Sequence, residues 1–185
     1  MAVVVAMLRG VNVGGHNKIK MDALRELCGS MKFSDAQTYV QSGNVVFRTE
    51  ERDIGRVGKL LQDGIEKKFG FRPGVILRNA AELRSVIARN PFAKQRVIEP
   101  NRLLVWFLAN DPGAEVRKAV TQIKTETEEL RPDGRELYIY FSSGMARPGF
   151  SWAVLEGTLK TAGTGRNWNS VSKLLVMAEA LEAGV

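Results

Sequence analysis

The chain is poor in the residues that carry most enzyme chemistry: one cysteine and one histidine among 185 residues. A lone Cys28 excludes an intramolecular disulfide and leaves no second thiolate for a zinc site. It falls on an apolar stripe at helical spacing with Leu24, Leu27 and Met31, so it reads as a small buried hydrophobe rather than a nucleophile. His16 is the only imidazole, and no Asp or Glu near it in sequence would orient it as a general base or metal ligand. No metal and no cofactor are expected. Long apolar runs are also missing: Met1 to Leu8 is apolar but lacks a basic leader and stops at Arg9, too short for a signal peptide or a membrane span. The expectation is a cytoplasmic protein with no membrane partner. Isolated serines without a base give no catalytic triad. Glu126, Glu128 and Glu129 read as a solvated, charged helix end rather than a catalytic carboxylate pair. The aromatic pattern with which RNA-recognition motifs stack bases is absent.

What the chain does have is enough apolar content, 44%, to build one ordinary core or two small ones. It also carries an excess of positive charge, 27 Lys and Arg against 20 Asp and Glu, for a formal +7 and a pI near 9.8. Such a balance favours phosphate-bearing or otherwise acidic partners without locating a site.

Ala2 to Leu8 reads as a strand buried on both faces. After a glycine-rich loop, Met21 to Met31 reads as an amphipathic helix. Strands at 36–41 and 45–48 flank a turn at Ser42-Gly43-Asn44. Asp53 caps a helix over 54–69 that Gly70 ends, followed by a strand at 74–77. The order βαββαβ is the ferredoxin-like arrangement, a four-stranded antiparallel sheet with two helices on one face. Asn79 with Glu82 three residues on is a capping box for a further helix. A loop at 90–101 follows, and the join between halves is placed there, giving subdomains 1–90 and 91–185 that pack tightly.

In the second half, a strand at 102–109 precedes a helix starting at Asp111-Pro112. A strand at 135–141, a turn at 142–144, a short strand at 145–147 and helices near 152–159 and 170–181 complete a second unit of similar order. The fold class expected is α+β, two packed ferredoxin-like subdomains with antiparallel sheets. No residue-level repeat links the halves.

Three strings, Leu8-Arg9-Gly10-Val11-Asn12-Val13-Gly14-Gly15, Tyr39-Val40-Gln41-Ser42-Gly43-Asn44-Val45-Val46-Phe47 and Arg166-Asn167-Trp168-Asn169-Ser170-Val171, resemble the bacterial family of domain of unknown function 1697. The resemblance runs in order along nearly the whole chain. It implies an α+β fold of ferredoxin-like units and offers no catalytic residues to carry over.

Two segments remain as candidate sites. In the first, Arg9, Gly10, Asn12, Gly14, Gly15, His16, Asn17, Lys18 and Lys20 combine flexible backbone N–H groups with positive charge, which suits an anion. Its glycine spacing is that of a P-loop, but His16 and Asn17 stand where the phosphate-binding lysine and the hydroxyl residue belong, so an NTPase is not expected. The second is a Gly/Thr-rich loop entering a helix, with Thr164, Arg166, Asn167, Trp168 and Asn169, where Arg166 would fork onto a phosphate and Trp168 would stack a base. A plainer reading makes Asn169 an N-cap and Trp168 a core residue. Gln41 and Ser42, in the hairpin turn, are the other polar candidates. The leading expectation is a binder of a phosphate-bearing ligand, nucleic acid or nucleotide, in a basic cleft formed by the 9–20 and 161–170 loops. The alternative is an enzyme acting on a small anionic substrate in the same cleft, with His16 or Lys18 moving protons. A third reading is a protein-interaction module. Oligomeric state has no signal in the sequence.

Overall fold

The computed structural model describes residues 1–95 and 97–184. Arg96, inside the expected 90–101 loop, and Val185 lie outside the described residues. The chain divides into two units, Met1–Ser85 with Lys173–Val185, and Val86–Ser172. Sequence reading places the join at 90–91 with the C-terminal helix in the second half. The division between the two units falls inside two helices.

In the first unit, β1 (Ala2–Arg9), α1 (Met21–Ser30), β2 (Ser34–Tyr39), β3 (Asn44–Thr49), α2 (Ile54–Phe69) and β4 (Gly74–Arg78) build an antiparallel sheet of order β2-β3-β1-β4. Val4, Ala6 and Leu8 of β1 and Val45 and Phe47 of β3 face α1 and α2, where Leu24, Cys28, Val57, Leu61 and Ile65 close the core. Burying side chains of this size is worth about 1.5–3 kcal/mol each, which is what docks two short helices on the sheet. Asp53 accepts a hydrogen bond from Arg56 N–H at 3.2 Å, and Gly70 takes a left-handed φ of 80°, so α2 begins and ends where its caps dictate. The opposite sheet face carries Val3, Val5, Met7 and Val46, all buried. The last helix, α6 (Trp168–Ala183), ends against that side: Arg48 of β3 donates to Leu181 O, and Glu179 takes Arg84 of α3 (Ala80–Ala88) at 2.7 Å.

The β2–β3 turn is one residue wider than the expected 42–44 turn. Val40 to Gly43 form it, with Val40 at φ 51° and Gly43 at φ 80°. Asn44, expected as a turn residue, starts β3, fully buried, its amide donating to Tyr39 O and to Ser42 Oγ.

The second unit repeats the order with β5 (Leu103–Leu108), α4 (Ala114–Val120), β6 (Glu128–Asp133), β7 (Glu136–Phe141), α5 (Trp152–Leu159) and β8 (Gly163–Asn167), in a sheet of order β6-β7-β5-β8. Its helix-facing core holds Trp106, Leu137, Ile139, Phe141, Phe150 and Leu155. Its other face, with Val105, Phe107, Tyr138 and Tyr140, is buried too; Tyr138 Oη donates to Val86 O at 2.7 Å and Phe92 packs on Tyr140.

Several expectations for this half are corrected. The hairpin partner of the strand at 136–141 precedes it, as β6 with a turn at 134–135, and residues 145–147 form no strand. Glu128 is a buried strand residue, not a solvated helix end: its carboxylate accepts from Gly149 N at 2.8 Å and from Thr127 N and Glu126 N. Burial pushes its pKa up, but these backbone donors outweigh that and hold the group below its usual range. The helix expected from Asp111 starts at Ala114, since Asp111 bonds the N–H of Gly113 ahead of it. The architecture is α+β, with two antiparallel four-stranded sheets each covered by helices.

Candidate functional site

The 161–170 segment is not a loop. Residues 163–167 form β8, and α6 follows at once, with Asn167 rather than Asn169 accepting from Ser170 N–H at 2.9 Å. Gly163 and Gly165 are glycines because the indole of Trp106 lies across them. A Cβ at Gly163 would meet Trp106 Nε1 at 2.3 Å, and one at Gly165 would meet the ring at 3.0 Å. Thr164 and Arg166 are buried, 4% and 6% exposed, and Arg166 Nη1 donates to Thr164 Oγ1 at 2.9 Å and to Gly165 O at 2.8 Å. Burial pulls the Arg166 guanidinium down to about 10, still charged at neutral pH. Trp168 is half-buried at the first position of α6 and Asn169 is exposed. These residues fall in the second unit and the 9–20 loop in the first.

The 9–20 segment does emerge as an exposed loop, and its form follows from its sequence. Gly14 and Gly15, at φ 58° and 78°, make a two-residue turn between the bridged pair Val13 and His16. Asn12, itself at φ 56°, is the clamp. Its Oδ1 accepts from Ile19 N at 2.9 Å, while Nδ2 donates to Ile19 O at 3.0 Å and to Gln41 O at 2.7 Å. Asn17 Nδ2 donates to Gly10 O at 2.9 Å. Most of the polar capacity singled out in the sequence is therefore spent on shaping the loop. Gly43 seats the neighbouring turn by close approach: a Cβ there would lie 2.9 Å from Leu8 Cβ.

The outer surface of that pairing faces solvent. His16, Lys18, Lys20, Gln41 and Ser42 are exposed, and Arg9 is half-buried at the end of β1. The register places three connections at this end of the sheet, residues 10–20, 40–43 and 70–73, since Arg9 pairs with Gly74 and Met7 with Asn44. None of the three contains an Asp or Glu. Beside them, a groove of about 490 Å³ runs between the start of α1 and the end of β2, lined by Lys20, Asp22, Arg25, Thr38, Val40 and Gln41. Arg25 donates to Thr38 Oγ1 and to Asp22. Lys20, at the N-cap of α1, makes no side-chain cap, so the first-turn N–H groups of that helix gain no such partner there. Arg25 and Thr38 escape sequence reasoning, because the first sits on an unremarkable helix face and the second on an edge strand. The structure thus joins the 9–20 loop to Gln41 and Ser42 through Asn12.

Among the described residues, no three His, Cys, Asp or Glu side chains form a metal-holding group. Cys28 is fully buried and burial pushes its thiol up to about 12, which removes the thiolate that nucleophilic chemistry needs. No helix in the described residues is long and apolar enough to cross a membrane.

Comparison with known proteins bears on the fold and the family. The chain is similar to a solved structure, the conserved bacterial protein SP0830 from Streptococcus pneumoniae, with a TM-score of 0.70 and 20% identity over 96% of this chain and 98% of that one. At that identity the likeness speaks for the fold alone. No curated protein matches the chain. A family model described as a protein of unknown function (DUF1697) matches residues 1–138, which include the Leu8–Gly15 and Tyr39–Phe47 strings. With three quarters of its length so matched, the chain belongs to the DUF1697 family.

Proposed function

We propose that the loop end of the first unit binds a phosphate-bearing ligand, with a nucleic-acid backbone the best fit. The observation that carries this reading is an exposed loop pair, clamped by Asn12, with Lys18 and Lys20 on connections that contain no carboxylate and Arg9 at the adjoining end of β1. Phosphate attraction needs local positive charge that neighbouring carboxylates do not cancel. Exposed Lys18 and Lys20 beside the groove suit a chain of phosphates lying across it. Residues 10–20 and 40–43 contain no Phe, Trp or Tyr, and Phe71 of the third connection packs against the core, so binding is expected to be indifferent to sequence. An enzyme reading gains little: His16 is exposed, and among the described residues its bond is the backbone one to Val13 O.

The test is fluorescence anisotropy of labelled single-stranded and duplex oligonucleotides over a salt series, with wild type and Lys18→Ala/Lys20→Ala. The expected result is salt-dependent binding, with the slope of log K against log salt shallower by about 1.4 on single strands when two phosphate contacts go. Binding that keeps its slope and strength in the double variant, or no binding at low salt, overturns the reading.

A further inference from the structure

The second unit holds a groove in the same topological place, between its first helix α4 and its edge strand β6, just as the first unit's groove lies between α1 and β2. It measures about 430 Å³ and is lined by Arg89, Arg117, Lys118, Thr121, Arg131 and Asp133. Four cations face a single carboxylate. That volume is in the range of small-ligand sites, about 300–1,000 Å³.

The guanidinium groups are braced. Arg89 donates to Asp133 and, at 2.9 Å, to Glu136, which is 4% exposed and so firmly placed. Arg117 is paired with Asp111, and Arg131 donates to Glu129 at 3.1 Å with its guanidinium over the Phe92 ring. Glu136, Asp111 and Glu129 do not line the groove. They hold the arginines in position, which lowers the ordering cost a ligand must meet, and they offset much of the guanidinium charge, so a phosphate would share these arginines with them and take the exposed Lys118 besides. Lys118, exposed on α4, adds a mobile ammonium, and Thr121 a hydroxyl. Pro91 and Pro132 stand on the walls, without N–H donors and with rigid apolar rings.

The segment at Arg89 and Pro91 that follows α3 also lines this groove, beside α4 and β6. Clustered arginines that can fork onto one group favour a compact anion over a long strand. We infer that this groove is a second, separate site for a small molecule carrying a phosphate or diphosphate, its phosphates on Arg117, Lys118 and Arg131 and its organic part against the two prolines.

The experiment titrates inorganic pyrophosphate and ADP into the full-length protein by calorimetry at low salt, using wild type, Lys118→Ala, Lys118→Ala/Arg131→Gln and Lys18→Ala/Lys20→Ala. The site predicts saturable binding that the Lys18→Ala/Lys20→Ala variant retains, that Lys118→Ala weakens about tenfold, and that the Lys118/Arg131 double variant weakens further, as the loss of one and then two charge-assisted contacts requires. Circular dichroism on each variant checks folding; Lys118 is exposed, so its replacement leaves the core untouched. Absence of saturable binding, or binding that only the Lys18/Lys20 variant removes, overturns this site and leaves the first-unit reading standing. Pyrophosphate binding lost only in the Lys118 variants, with no oligonucleotide binding anywhere, supports this site and removes the first-unit reading. An oligonucleotide that binds through Lys118 and Arg131 and is not displaced by ADP also overturns the small-molecule assignment.

Discussion

The two units share strand order and helix placement, yet they fill the same volume in opposite ways. In the first, Ala6 of β1 pairs with Leu77 of β4, and Leu8 with Val75. In the second, Trp106 of β5 pairs with Gly165 of β8, and Leu108 with Gly163. At the Ala6–Leu77 and Trp106–Gly165 pairs the small residue sits on the central strand in one unit and on the edge strand in the other. Trp106 also stacks on Trp152 with centroids 5.2 Å apart, and Phe150 meets Trp152 edge-on at 4.9 Å, whereas the first unit relies on aliphatic side chains and one stacked pair, Phe33 on Phe47. What topology requires is a filled layer between sheet and helices; which strand supplies the bulk is free. The ends differ as well. Residues 10–20 give the first unit an exposed, cationic loop, while residues 109–113 make the matching connection of the second.

Exchanging bulk between strands is the strongest way to break that contrast. Trp106→Ala is expected to cost about 4 kcal/mol by leaving a cavity. Gly165→Leu alone is expected to cost about 2–3 kcal/mol by overpacking against Trp106 and Leu104. The double variant reproduces the first unit's Ala–Leu pairing and should be more stable than the sum of the two losses implies, by more than about 1 kcal/mol. Chemical denaturation of all four proteins closes the cycle, and strict additivity would show that the two positions do not share one volume.

Gly43→Ala probes the first unit's own close approach. Its positive φ and its contact with Leu8 lead to an expected loss of about 2–3 kcal/mol, read from the denaturation midpoint at unchanged slope. A neutral result would mean that the 40–43 turn yields easily and does not hold the 9–20 loop.

Glu128→Gln sharpens the comparison through pH, since the first unit opens its edge strand β2 at Ser34 with no buried carboxylate. The folded-state pKa of Glu128 is depressed, so its contribution is present above the unfolded pKa and fades as pH falls through the folded one. The variant is expected to lose about 1–2 kcal/mol at pH 7, with a smaller further decline between pH 5 and about pH 3 than wild type. Thermal melts across that range measure both, and parallel curves would remove Glu128 as the source.

Sequence reading succeeded where the signal is local. The 54–69 helix has its stripe, its Asp53 cap and its Gly70 stop, and Asn79 and Glu82 exchange both capping-box bonds at 2.8 Å. It failed on β6, Glu-Glu-Leu-Arg-Pro-Asp, a polar strand whose proline is tolerable only at an edge. It failed again on β8, Gly-Thr-Gly-Arg-Asn, which has no apolar side chain at all. The candidate loop was legible in its glycines and lysines. Its clamp through Asn12 to Gln41 spans 29 residues and was not, nor was the arginine cluster assembled from residues 89, 117, 118 and 131.

The sequence alone determined the buried first strand, an apolar content sufficient for a core, the βαββαβ order of the first half, the burial of Cys28 and the positive balance, because each follows from periodicity, caps or residue counts. Tertiary structure decided that Gly163 and Gly165 serve a tryptophan rather than an anion, that Arg166 lies inside a sheet, and which cations share a groove. Those outcomes depend on residues brought together from distant parts of the chain, where packing and desolvation act on neighbours that no local pattern reveals.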